Sequence, residues 1–81
     1  MSKGEVILSY IREELLDYPD TEIHDDTSLF QDRVLKSINL VQLIVFIEET
    51  YNIKVKPSEV NIENFDSIAK ILRFLGKKSN P

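Results

Sequence analysis

Between residues 37 and 51 the chain sets nine apolar residues among fifteen, uninterrupted by glycine or proline. At about 100° per residue, Leu40, Leu43, Ile44, Ile47 and Tyr51 fall on one stripe, so the pattern predicts an amphipathic helix over 37–51 with a core face. Ile38, Val41 and Val45 fall on nearly the opposite side, beside Gln42 and Glu49, where a helix of a small bundle ordinarily turns polar residues to water. Phe46 lies at the margin, near Asn39 and Gln42, where it could line a groove or join the outer face. Ser37 opens the helix and is assigned as its N-cap, the position where a short oxygen-bearing side chain satisfies free backbone N–H groups.

The remaining periodicity predicts three more elements. Ile7, Ile11 and Leu15 recur every four residues, with Leu8 and Tyr10 flanking, which predicts a first helix from Lys3 to Leu16 with Arg12 and Glu13 on its solvent side. No period persists from Asp17 to Lys36. Twenty loop residues are many for so small a domain and are commonly functional; Leu29, Phe30, Val34 and Leu35 are expected to pin this loop to the core. Pro57-Ser58-Glu59-Val60 can open a short third helix or turn, and a fourth helix is expected from Asp66 as N-cap, with Ile68, Ile71, Leu72 and Leu75 buried. Gly76 is expected to end it, leaving 77–81 as a short flexible tail. The expected fold is all-α: a small four-helix bundle of three main helices and one short one, with a long loop between the first and second, forming one domain over 1–76.

Composition narrows the chemistry. With 81 residues there is room for one modest core. The absence of cysteine rules out disulfides and thiolate metal sites, so any thiol must come from an added group. The longest apolar run, Leu43 to Ile47, is far too short to span a bilayer, and no basic segment followed by an apolar one opens the chain; a cytoplasmic protein is expected. The net charge of −4 disfavours nucleic acid, and Lys70, Arg73, Lys77 and Lys78 read more simply as bases complementing a helix C-terminus. His24 is the sole histidine and lies among acids, the adjacent pairs Asp25-Asp26 and Glu48-Glu49 diverge, and the two glycines build no phosphate loop. Neither catalysis nor a metal site is expected.

The run Ser37-Ile38-x-Leu40-Val41-x-Leu43, continuing through Phe46-Ile47-Glu48-Glu49-Thr50-Tyr51-Asn52-Ile53, resembles the acyl and peptidyl carrier proteins, and the resemblance extends across nearly the whole chain. It implies that Ser37 receives a 4′-phosphopantetheine arm from coenzyme A, whose thiol holds acyl or aminoacyl groups as thioesters. It further implies that Ile38, Val41, Gln42, Val45 and Glu49 meet partner enzymes: a phosphopantetheinyl transferase, an acyl or amino-acid loading enzyme, and a downstream acyltransferase or condensing enzyme. The family's usual acid before the serine is Lys36 here, a candidate neighbour for the phosphodiester. Asn39 and Gln42 stand where carriers of fatty-acid synthesis have acids, which points to a specialised polyketide, nonribosomal-peptide or aminoacyl-transfer pathway. The expectation is a freestanding, monomeric carrier that is not itself an enzyme. The alternative is a helical adaptor that keeps the carrier shape without the arm and acts by protein–protein contact.

Overall fold

The computed structural model describes residues 2–79, and every described element is helical. Helix α1 spans Lys3–Tyr10. It starts at a capping box: Ser2 Oγ accepts from the Glu5 amide at 3.2 Å while Glu5 Oε1 accepts from the Ser2 amide at 3.0 Å. Hydrogen bonding from the Ser2 amide, and then from the Ser2 hydroxyl, holds the Glu5 carboxyl below its ordinary pKa. The helix then widens into a π turn, Ile11–Leu15, closed by the Leu16 amide donating to the Ile11 carbonyl at 2.9 Å. A strict four-residue repeat drifts about 40° per step around a regular α-helix. The wider turn offsets that drift, and Ile7, Ile11 and Leu15 are all buried.

The 16–36 connection has no helix of its own and is held by polar ties as well as by side-chain burial. Ile23, Leu29 and Leu35 are buried, with Phe30 and Val34 half-buried beside them. Arg12 faces this loop instead of solvent: its Nη1 donates to the carbonyls of Pro19 and Thr21. The strongest tie comes from far along the chain. Asp66 is fully buried, its Oδ1 accepting from the amides of Phe30 (2.8 Å) and Gln31 (3.2 Å) and its Oδ2 from Gln31 Nε2 (3.0 Å). Its carbonyl also accepts from the Leu29 amide. Arg33 adopts a left-handed φ of 59°, which costs roughly 1–2 kcal/mol for a non-glycine residue. The turn around it closes with the Leu35 amide donating to the Leu29 carbonyl at 2.7 Å, just before the second helix.

Helix α2 spans Ser37–Tyr51, as the periodicity predicts, and buries Leu43 and Ile47 completely. It ends at Asn52, which takes the left-handed conformation (φ 53°, ψ 52°) that lets a helix stop. Glu48 then fastens the outgoing strand of chain by accepting from the Val55 amide at 2.8 Å. A 3₁₀ turn at Pro57–Glu59, with Pro57 at its start as expected, precedes a further short helix, α3, Ile62–Phe65. Helix α4 spans Ile68–Ser79 and packs against α1 and α3.

Two expectations for α4 are corrected. Its N-terminal cap is Ser67, whose Oγ accepts from the Lys70 amide at 3.1 Å, because the neighbouring Asp66 carboxylate is turned inward to the loop. Nor does Gly76 end it: the helix continues to Ser79, so Lys77 and Lys78 are helical rather than a flexible tail, and Asn80 and Pro81 lie outside the described residues. Lys78 ties this end down, pairing with Glu59 at 2.8 Å; together with the bond from the Lys56 amide, this lowers the Glu59 pKa.

Candidate functional site

Ser37 is the first helical residue of α2, one step inside the cap, with Lys36 at the N-cap position. Its side chain is exposed, and its hydroxyl makes no hydrogen bond among the described residues. The N-cap assignment for Ser37 is therefore corrected. Lysine has no acceptor to offer at a cap, so the start of the helix is tied reciprocally: Asn39 Oδ1 accepts from the Lys36 amide at 2.9 Å. Asn39 is buried by this task and passes its own Nδ2 to Gln42 Oε1 at 2.8 Å. It is consequently not part of the outer face. A side-chain acceptor three residues after the N-cap, here Asn39, was the signal that would have found it.

Lys36 is exposed and its Nζ meets Asp17 at 2.8 Å, bridging the end of α1 to the start of α2. That hydrogen bond and the Asp17 charge raise the Lys36 pKa. The apolar residues on the outer face are where periodicity put them: Ile38 is 62% exposed, Val41 57% and Val45 47%. Gln42 and Glu49 are exposed beside them. Phe46 turns toward α1 and stacks on Tyr10, with centroids 3.9 Å apart and planes at 8°, flooring a groove rimmed by Glu13 and Glu14. Burial there, and then the charges of Glu14 and Glu49, push the Tyr10 hydroxyl pKa up. The His24 ring pairs with Glu22 at 2.7 Å, and no group of acids, histidines or cysteines among the described residues could hold a metal ion.

A long pinned loop, an exposed hydroxyl opening an amphipathic helix and an uncovered apolar face beside it are what the described residues bring together. A family model described as the phosphopantetheine attachment site matches residues 5–75, and the chain belongs to that family. Among characterised relatives it is similar to the D-alanyl carrier proteins of Streptococcus pyogenes serotypes M5 (strain Manfredo), M49 (strain NZ131) and M1. Each is 42% identical over 48 residues, covering 59% of this chain and 61% of the relative. The chain thus spans a little under two thirds of the relatives it matches. No helix among the described residues is long and apolar enough to cross a membrane.

The residues present fit the prosthetic group of this family. Attachment requires a hydroxyl that an enzyme can reach, and Ser37 is exposed. The phosphodiester it would carry is an anion, which the positive end of the α2 dipole favours.

Proposed function

We propose that Ser37 is the phosphopantetheine attachment residue and that the chain works as an aminoacyl carrier. The observation that carries this reading is the free, exposed Ser37 hydroxyl at the first turn of α2, within the region that the family model matches. In the modification, Ser37 Oγ loses its proton and forms a bond to the β-phosphorus of coenzyme A as adenosine 3′,5′-bisphosphate leaves. A transferase supplies base and metal ion, so the chain contributes the nucleophile and its positioning. When attached, the arm supplies the thiol that this cysteine-free chain lacks.

The similarity to D-alanyl carrier proteins supports a small amino acid as cargo, delivered by an activating ligase and passed to a downstream acyltransferase. Ile38, Val41, Gln42, Val45 and Glu49 form the surface those enzymes meet. The reading includes action as a monomer in the cytoplasm, with no chemistry catalysed by the chain itself. Incubation with coenzyme A, Mg²⁺ and a broad-specificity transferase is expected to add the mass of one phosphopantetheine to the wild type and none to Ser37→Ala. An unchanged mass of folded wild-type protein would reject this reading in favour of an arm-free adaptor, the reading that the basic Lys36 beside Ser37 favours.

A further inference from the structure

Lys36, directly before Ser37, holds its Nζ 2.8 Å from Asp17 Oδ2, and folding alone gives little reason for the pair. The two side chains are 68% and 60% exposed, and exposed pairs of this kind add little to stability. A cation at the positive end of a helix is, moreover, unfavourably placed. Asp17 is nonetheless fixed where it meets that lysine. The chain leaves the π turn at Leu16 with extended backbone, and the turn that follows is braced from two sides. Arg12 Nη1 donates to the carbonyls of Pro19 and Thr21, while the Thr21 amide and hydroxyl both donate to the Tyr18 carbonyl, at 3.0 and 2.7 Å. Asp32 and Arg33 line the same edge with one charge of each sign, so the balance beside Ser37 is left to Asp17 and Lys36.

Modification brings a polyanion to this spot. Coenzyme A carries a diphosphate and a 3′-phosphate, so an enzyme that delivers it presents cationic groups around the entry for Ser37. A free ammonium directly before the serine would face charge of its own sign, at a cost that grows as the two surfaces meet and lose water. Paired with Asp17, the same lysine presents no net charge.

We propose that Asp17 is a specificity-determining residue for modification of Ser37: its carboxylate holds and neutralises the Lys36 ammonium, so that the serine enters a cationic transferase site without repulsion. The inference rests on Ser37 being the attachment residue. Asp17 takes no part in the bond made at Ser37 Oγ. It acts through Lys36 on the encounter of the two proteins, so its removal raises the KM for the carrier and leaves kcat in place. A residue that follows the first helix thereby sets the charge met at the start of the second.

The test measures steady-state modification of the folded chain by a broad-specificity phosphopantetheinyl transferase with coenzyme A and Mg²⁺, after native amide dispersion is verified for each variant. Asp17→Asn, which keeps the size and removes the charge, should raise the KM for the carrier severalfold with kcat unchanged, and the excess should shrink as salt is added. Asp17→Glu, which keeps a carboxylate within reach of Lys36, should restore the wild-type KM. Asp17→Asn combined with Lys36→Ala should do so as well, because the exposed cation leaves together with its partner. Failure of the wild type to gain mass would overturn the carrier reading and this proposal together. With the wild type modified, an unchanged or lowered KM in Asp17→Asn, or a raised KM that the double variant does not relieve, would overturn the role of Asp17 alone. Loss of native dispersion in Asp17→Asn would mark the pair as structural and overturn that role too.

Discussion

The two faces of α2 are built from the same kinds of residue and have opposite fates. Leu43 and Ile47 are wholly removed from water, while Val41 and Val45, each two residues from one of them, remain about half exposed. Folding thus spends the transfer free energy of one face and leaves that of the other, roughly 25 cal/mol per Å² of apolar surface, available for association. Position around the helix, not residue type, decides which side chains hold the domain together.

The largest expected effect tests the inner face. Leu43→Ala and Ile47→Ala should each lower stability by about 2–5 kcal/mol, read from denaturant unfolding, because each leaves a cavity in a closed core. Asn39→Ala lies between the faces: it strands the Lys36 amide and should cost on the order of 1 kcal/mol. Val41→Ala and Val45→Ala should stay within about 0.5 kcal/mol of wild type in the same assay. Their effect should instead emerge in cargo transfer to partner enzymes, and equal thermal shifts for Leu43→Ala and Val41→Ala would erase the distinction between the faces. Smallest of all, Ser37→Ala should change stability by no more than about 0.3 kcal/mol, well under the ~1 kcal/mol expected of a capping serine, since its hydroxyl holds no backbone N–H.

Much of this architecture was legible in the sequence because it is written locally. The stripe through Leu43 and Ile47 and the four-residue repeat of Ile7, Ile11 and Leu15 need only neighbours a few positions away to be recognised. Ser37 stood out because a family pattern runs through it. What escaped depends on geometry that local pattern does not carry. The cap of α2 moved one residue because Asn39 could serve Lys36 from inside the helix. The cap of α4 moved one residue because Asp66 was engaged with amides 35 and 36 positions earlier in the chain. Gly76 resembled a terminator, yet nothing lies within 4 Å of where its Cβ would be, and the helix passes through it. Gly76→Ala should therefore stabilise the domain by roughly 0.5–1 kcal/mol, an increase that a helix-ending glycine would not give.

The Asp66 carboxylate has a consequence for the order in which the molecule opens. Leu29, Phe30 and Gln31 owe their amide protection to a residue at the junction of α3 and α4, so these amides can exchange with solvent only when that junction lets go. The segment leading into Ser37 and the N-terminus of α4 then form one cooperative unit, although more than thirty residues separate them. An α4 that frays at its first turn would therefore loosen the segment before Ser37.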